Sequence, residues 1–124
     1  MIVMGLSEEY DGFNIGVTGL WPRTAIATAA VSNELGGDSM TKASRTDDIM
    51  GDSAYEVLTT KSRNVNGNFF IDDEVLASVG VTDFEKYKVT KSTKTQDMAA
   101  DFFINWNEDI EGHLKAITAD SKKK

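Results

Sequence analysis

The chain has 124 residues and a net charge of −7, with 40% hydrophobic and 27% charged residues, a composition typical of one small globular domain. The negative charge disfavours a nucleic-acid backbone or an anionic membrane as the main partner, because both attract basic surfaces. The lack of cysteine excludes disulfides and thiolate metal sites, and the single histidine, His113, excludes zinc sites built from several histidines.

No apolar run approaches the roughly 20 residues that are needed to cross a bilayer. The apolar segment Met1–Leu6 lacks a basic leader and is followed closely by Glu8 and Glu9, so a secretory signal is not expected. We therefore expect a cytoplasmic protein.

Hydrophobic periodicity and turn residues divide the chain into alternating helices and strands. The predicted order is a helix over 1–10, a strand over 14–21, a helix over 24–35, a helix that Thr46 caps, a strand over 68–71, a short helix over 72–79 and a final helix from 107. Pro22 ends the first strand, because proline cannot continue a central strand. This order matches the end of a doubly wound α/β domain.

Three further predictions concern the mobility or burial of particular residues. Residues 39–44 are polar and expected to be mobile. Asp72, Asp73 and Glu74 are expected to be surface residues that the helix dipole stabilises, and a cation site is the weaker alternative. Trp21 is expected to lie in the core.

The stretch Ile15–Ala30 is the most informative in the chain, because a short strand leads through a proline into residues rich in hydroxyl groups. Such a loop at the carboxyl end of a strand lies where open α/β sheets bind ligands. The run Leu-Trp-Pro-Arg-Thr-Ala-Ile at 20–26 resembles the segment after the sixth strand of short-chain dehydrogenases/reductases, and within that family the hydroxysteroid-dehydrogenase-like branch. The segments 67–76, 82–87 and 101–104 continue the resemblance.

The resemblance implies that residues 1–104 form the C-terminal portion of a Rossmann-type parallel sheet, with about two strands plus helices. It implies a parent activity of NAD- or NADP-dependent oxidoreduction of a carbonyl or alcohol. By residue-to-residue match, Pro22 corresponds to the family's proline, Ile26 to the residue whose backbone meets the nicotinamide carboxamide, and Thr28 to the threonine that contacts the carboxamide or pyrophosphate. Thr24 is an alternative for the role of Thr28, because the spacing from Pro22 is one residue longer than in most members.

In the family, the Gly-rich nucleotide loop and the catalytic Ser and Tyr-x-x-x-Lys lie upstream of the region that this chain resembles. The isolated chain is therefore expected to lack catalytic residues and activity. Tyr87 and Lys91 formally match Tyr-x-x-x-Lys, but they follow an irregular stretch, and a catalytic pair must share a helix face. Glycines over 12–19 imitate a dinucleotide loop, yet they precede and occupy a strand, which favours a turn and close packing.

A sheet of two strands is marginal by itself, and open strand edges invite pairing with another chain. We therefore expect a homo-oligomer, a swapped dimer, or association with the rest of the family fold. Residues 105–124 are predicted to form a C-terminal amphipathic helix and a basic tail. Two alternatives to the oxidoreductase hypothesis stay open: a non-catalytic, oligomerising interaction module, and a truncated fragment without independent function.

Overall fold

The computed structural model describes residues 1–104, apart from the side chains of residues 62 and 63. Within that part of the chain the elements are, in order, α1 (Ile2–Glu9), β1 (Gly19–Trp21), a π-helical turn (Val31–Leu35), α2 (Gly37–Lys42), α3 (Asp48–Thr59), α4 (Ser62–Val65), β2 (Phe69–Ile71), α5 (Asp72–Ser78) and two 3-10 turns (Glu85–Tyr87 and Thr95–Asp97). Among these helices none is long and apolar enough to cross a bilayer. The predicted helix and tail over 105–124 lie outside the described residues.

The two strands form a parallel sheet, which confirms the predicted α/β arrangement. Gly19 lies opposite Phe69, and Trp21 lies opposite Ile71. A Cβ atom at Gly19 would come within 2.8 Å of Cδ1 of Phe69, so the ring packs where only glycine leaves room. This agrees with the interpretation of this glycine as a packing residue rather than as part of a nucleotide loop.

The turn before β2 ties the N-terminal helix to the sheet. The side chain of Asn66 accepts a hydrogen bond from the backbone N–H of Val17 at 2.9 Å and donates one to the carbonyl of Ser7 at 3.1 Å. Gly67 follows with φ at +73°, a conformation that glycine adopts at little cost. The predicted Asn-Gly turn is therefore present, and it sets the position of α1 against the two strands.

Helix α3 buries one face through residues four positions apart. Ile49, Ser53 and Val57 are its buried residues, as a helix with 3.6 residues per turn requires. The hydroxyl of Ser53 is satisfied within the helix, because it donates to the carbonyl of Ile49 at 2.7 Å. This face packs against α5, and the two helices together contribute Ile49, Val57, Val75, Leu76 and Ala77 to the buried apolar residues.

Within residues 1–104, two small apolar clusters lie at opposite ends of α3. One centres on Ile49, Leu76 and Tyr87, with Ile26, Met50, Val81 and Phe84 packed against it. The other centres on Val57, Val65 and Val75, with Leu20 and Phe70 packed against it. Ile26 thereby anchors the segment after β1 to the first cluster.

The prediction of a helix over 24–35 is wrong for its first half. Thr24 forms an antiparallel bridge with Ala100, and Ile26 forms a parallel bridge with Arg45. The backbone is therefore paired on both sides, which a helix does not permit. Helical structure begins only at Ala29.

The segment over 39–44, for which mobility was expected, is helical over its first four residues, where α2 occupies it. Gly37 begins the helix with φ at +62°, and the hydroxyl of Thr41 donates to the Gly37 carbonyl at 2.9 Å. The hydroxyl of Ser44 donates to the carbonyl of Met40 at 2.6 Å. Hydroxyl groups that favour loops by bonding to the backbone here bond to carbonyls of the same helical segment.

Trp21 was expected in the core but is 43% exposed. It lies at the end of a three-residue strand, where its indole Nε1 donates to Oδ1 of Asp101 at 2.8 Å. Its ring meets that of Phe103 edge to face, with the centroids 5.8 Å apart. The chain that returns past the strand end covers the indole only in part.

Candidate functional site

The loop over 22–28 leaves the carboxyl end of β1. Because β1 and β2 are parallel, the loop and the start of α5 lie at the same edge of the sheet. Open α/β sheets bind their ligands at this edge. The position of the loop therefore makes it the candidate site.

The backbone of the loop is held from two directions. The N–H of Ala25 donates to the carbonyl of Ala99 at 2.9 Å, and the N–H of Ala27 donates to the carbonyl of Arg45 at 2.9 Å. The N–H of Arg45 donates back to the carbonyl of Ala25 at 3.0 Å. The loop therefore has a defined extended conformation before the chain becomes helical.

The four residues predicted to contact a cofactor differ in accessibility. Pro22 and Ile26 are half-buried, Thr24 is fully buried and Thr28 is exposed. The hydroxyl of Thr24 donates to the carbonyl of Ala25 at 3.2 Å, whereas that of Thr28 accepts from the N–H of Val31 at 3.4 Å. Of the two threonines that the sequence left as alternatives, Thr24 therefore faces the interior and Thr28 faces outward.

A buried ionic cluster lies directly behind the loop. It joins Arg23 and Arg45 to Asp72 and Asp73, all of them at most 5% exposed. Nε of Arg23 lies 2.8 Å from Oδ1 of Asp73, and Nη1 of Arg45 lies 2.9 Å from Oδ2 of the same carboxylate. We call these four residues the Arg–Asp cluster.

The cluster corrects the interpretation of Asp72 and Asp73 as surface residues. Both are fully buried, because they follow β2 at the edge where Arg23 follows β1. The weaker alternative, a cation site, does not fit either, since two guanidinium groups already occupy the space beside the carboxylates. Among the described residues, no group of three acidic or histidine side chains is arranged to hold a metal ion.

The positions of Arg23 and Asp72 relative to the two strands could have predicted part of this cluster from the sequence. Arg23 stands two residues after one parallel strand, and Asp72 directly follows the other. Parallel strands place such residues at one edge, so opposite charges there could have been paired from the strand assignment. Arg45 carried no such signal, because the irregular stretch around it gives no register.

Burial changes the electrostatics of the cluster. Burial first, and then the neighbouring charge of Asp73, raise the pKa of the Asp72 carboxyl to about 6, against the opposing effects of Arg45 and of two backbone hydrogen bonds. Oδ1 of Asp72 accepts from the backbone N–H groups of Arg23 and Asp73, at 3.0 and 2.7 Å, while Oδ2 is buried and has no hydrogen-bond partner among the described residues. Burial alone would lower the pKa of Arg23, but the hydrogen bonds and charges of Asp73 and Glu74 raise it above its ordinary value.

The formal Tyr-x-x-x-Lys pair is not a helical pair. Tyr87 ends a 3-10 turn and its hydroxyl donates to Oδ2 of Asp52 at 2.6 Å, while Lys91 lies exposed in the following turn. Burial first, and then the hydrogen bond to Asp52, raise the pKa of Tyr87. This arrangement agrees with the interpretation of the motif as a coincidence of spacing.

A separate cavity is lined by residues outside the loop, although one of them, Glu74, bonds to Arg23. This cavity of about 390 Å³ lies between α3, α4, β2 and α5, and is lined in part by Val57, Val65, Phe69 and Val75. Its lining is largely apolar, and the loop over 22–28 does not contribute to it. The residues that line this cavity can therefore serve as comparison positions when the binding site of a ligand is mapped.

Comparison with known proteins gives consistent relatives in sequence and in structure. No family model matches the chain. It is 44% identical over 105 residues to hydroxysteroid dehydrogenase-like protein 2 of Xenopus tropicalis and 38% identical over 105 residues to that of Homo sapiens, each match covering 85% of this chain and 24% of the relative. The chain thus spans about a quarter of the length of the curated relatives that it matches.

Two solved structures share the fold of the described part. A putative dehydrogenase from Xanthomonas campestris matches with a TM-score of 0.74 and 38% identity, over 84% of this chain and 36% of that one. A short chain dehydrogenase from Mycobacterium thermoresistibile matches with a TM-score of 0.70 and 36% identity, over 83% of this chain and 35% of that one. The two-stranded parallel unit and its helices are therefore a portion of a fold seen in larger dehydrogenases.

Proposed function

Because this chain belongs to the short-chain dehydrogenase/reductase family, we propose that its loop over 22–28 faces the nicotinamide of NAD or NADP. The parent activity in this proposal is oxidoreduction of a carbonyl or alcohol. The single observation that supports it best is the position of the loop, which leaves the carboxyl edge of the parallel strands.

The residues of the loop fit a nicotinamide group. Thr28 is exposed and its hydroxyl oxygen accepts from Val31, which leaves its O–H able to donate to an amide or phosphate oxygen. The backbone around Ile26 is fixed by pairing with Arg45, and the Ile26 carbonyl accepts from the N–H of Thr28 at 2.7 Å, so the loop would meet a ligand without a further ordering cost. When bound, the nicotinamide donates or accepts the hydride.

The proposal assigns the hydroxyl contact to Thr28 and not to Thr24. Thr24 is fully buried and its hydroxyl bonds to the carbonyl of Ala25. Thr24 therefore has no accessible hydroxyl to offer a ligand in this structure. In this proposal Thr24 and Pro22 shape the loop, while Ile26 and Thr28 meet the cofactor.

The 124-residue chain by itself is proposed to be inactive in turnover. A reductase of this type needs a tyrosine that donates a proton and a lysine on the same helix face. The one Tyr-x-x-x-Lys spacing in the sequence joins Tyr87 to Lys91, and the Tyr87 hydroxyl is bonded to Asp52. Steady oxidation of NADH by the purified chain with small aldehydes or ketones would contradict this part of the proposal.

Fluorescence titration of the full chain with NADH and NADPH tests the cofactor proposal. Excitation of the indoles should yield saturable quenching with energy transfer to the reduced nicotinamide. Thr28→Val removes one hydroxyl hydrogen bond and should weaken binding by about 5- to 10-fold, as a bond worth roughly 1 kcal/mol predicts. Thr59→Val, at an exposed threonine of α3, is the matched control and should leave the affinity unchanged. No binding up to millimolar cofactor would overturn the proposal.

An oligomerising role is a second candidate, because a specific surface favours it. Large apolar side chains project from α1 and the segment after it, with Ile2 79%, Met4 60%, Phe13 71% and Ile15 49% exposed. Within residues 1–104, β1 is paired with β2 alone. Exposed apolar surface and an open strand edge both promote association, and we propose a homo-oligomer that covers this face.

Sedimentation equilibrium of the full chain tests that association. The expected result is a dimer or larger species at micromolar concentration, which Ile2→Gln together with Met4→Gln shifts towards monomer. The matched control is Leu58→Gln, at an exposed leucine of α3, and should leave the distribution unchanged. A cooperatively melting monomer of the unmodified chain at the same concentration would contradict the proposal.

A further inference from the structure

The Arg–Asp cluster connects the candidate loop to the end of the second strand through both of its arginines. Nε of Arg23 donates to Oδ1 and Oδ2 of Asp73, at 2.8 and 2.9 Å. The same guanidinium donates through Nη2 to Oε1 of Glu74 at 2.5 Å. A planar guanidinium with several donors in fixed geometry is suited to hold such an arrangement.

Arg45 connects the same carboxylate to the other end of the loop. Its Nη1 donates to Oδ2 of Asp73 at 2.9 Å. Its backbone pairs with Ala25 and Ala27 in both directions. Asp73 is therefore bonded to one arginine that belongs to the loop and to another that pairs with the loop backbone.

Asp72 adds a third connection through the backbone. Its Oδ1 accepts from the backbone N–H of Arg23 at 3.0 Å. The first residue of α5 thus fixes the backbone at the start of the loop, while the second fixes the side chains of both arginines. The guanidinium of Arg45 also lies 5.7 Å from the ring centroid of Phe84, which limits where it can move.

We propose that Asp73 is a positioning residue for the candidate cofactor loop. It holds residues 23–27 in their extended conformation through Arg23 and Arg45, and so fixes where Ile26 and Thr28 are presented. The expected effect of Asp73 on cofactor binding rests on the proposed function. The control of loop conformation stands on the contacts alone.

A purely structural role for the cluster makes a different prediction. A buried ion pair often contributes little net stability, whereas removal of one partner leaves uncompensated charge and costs several kcal/mol. If Asp73 served stability alone, its loss would loosen α3, β2 and the loop to the same degree. If it positions the loop, the loop should loosen more than the rest of the fold.

Amide hydrogen exchange of the full chain separates these cases. Asp73→Asn should raise the exchange rates of the Ala25 and Ala27 amides about tenfold or more, relative to the amide of Val57 in α3. Asp73→Glu, which keeps the carboxylate, should restore much of the protection. Asp11→Asn, at an exposed aspartate, is the matched control. Equal acceleration at all three amides, or no acceleration at the loop, would overturn the inference.

A second variant covers the case in which Asp73→Asn does not fold. Arg23→Lys keeps the charge but loses the guanidinium geometry that bonds to Asp73 through Nε and to Glu74 through Nη2. It should accelerate exchange at Ala25 selectively, with Val57 unchanged. Uniform acceleration in this variant overturns the inference equally.

A titration with NADH distinguishes failure of this inference from failure of the proposed function. If the unmodified chain binds NADH, Asp73→Asn should raise the Kd about fivefold or more, since about 1 kcal/mol corresponds to that factor. Unchanged affinity in a folded Asp73→Asn variant would overturn the positioning role. If the unmodified chain does not bind NADH while the loop amides respond as predicted, the cofactor proposal fails and the control of loop conformation stands.

Discussion

Nε of Arg23 donates a bifurcated hydrogen bond to both carboxylate oxygens of Asp73, although Arg23 follows the first strand and Asp73 lies at the start of the helix after the second strand. Nε of Arg23 lies 2.8 Å from Oδ1 and 2.9 Å from Oδ2 of Asp73, and both side chains are almost fully buried. The contact exists because parallel strands end at one edge of the sheet. It couples the candidate cofactor loop to the buried start of α5.

The free energy of unfolding should depend on pH because the pKa of Asp72 is raised in the folded state. Its pKa is raised to about 6 from an ordinary value of 3.8, so the folded state retains a proton that the unfolded state has lost between these values. The stabilising contribution is full below the unfolded pKa and is lost as the pH rises through about 6. Urea unfolding at several pH values should show the free energy of unfolding of the native chain falling by about 2 kcal/mol relative to Asp72→Asn between pH 4 and pH 7.5.

The comparison with Asp72→Asn isolates this group from the other carboxylates. Both proteins share every other titratable residue, so their difference reports Asp72. A difference that stays constant across this pH range would show that the carboxyl of Asp72 titrates normally in the folded chain.

Truncation of Ile49 should test which face of α3 lies in the core. Ile49 is fully buried, so Ile49→Ala should lower the free energy of unfolding by about 2–5 kcal/mol through lost burial and a cavity. Leu58→Ala, on the same helix at a side chain that is 82% exposed, should change it by less than about 0.5 kcal/mol. Equal effects in thermal or urea unfolding would place the buried face of α3 elsewhere.

Removal of the Tyr87 hydroxyl should cost a modest amount of stability. The hydroxyl donates to Oδ2 of Asp52 at 2.6 Å, and a hydrogen bond to a charged group contributes about 1.5–3 kcal/mol before solvent exposure reduces it. We expect Tyr87→Phe to lower the free energy of unfolding by about 1 kcal/mol. Tyr55→Phe, at a tyrosine that is 66% exposed, is the control, and equal melting temperatures for the two variants would argue against the bond.

Replacement of Asn66 should loosen the connection between α1 and the sheet. Its amide group bonds to Val17 and Ser7, so Asn66→Ala should lower the free energy of unfolding by about 1–2 kcal/mol. The amides of α1 should lose protection from exchange more than those of α3. Retained protection in α1 would show that apolar packing alone holds this helix.

The sequence predicted those parts of the fold that local patterns determine. The helix over 1–10 and the short helix from Asp72 follow from periodicity and turn residues, and the Asn66-Gly67 turn correctly marked the start of the second strand. The family resemblance was confirmed by relatives in sequence and structure. These features need no knowledge of partners distant in the chain.

The parts that the sequence mispredicted depend on distant partners. The loop over 24–28 is extended because it pairs with Arg45 and Ala100, and no local pattern reveals such pairing. Asp72 and Asp73 satisfy the rule for acidic residues at a helix start, but two arginines from elsewhere in the chain allow their burial. The assignment of Pro22, Ile26 and Thr28 to a cofactor stays a prediction, which the exposure of Thr28 supports.

Amide chemical-shift mapping with NADH most directly tests whether the loop after β1 is the cofactor-facing site. The expected result is a saturable set of shifts centred on the amides of Ile26, Ala27 and Thr28, with little change at Val57 and Phe69 around the separate cavity. Shifts confined to the cavity between α3 and α5, or no shifts at millimolar NADH, would contradict the assignment of the loop as a nicotinamide site.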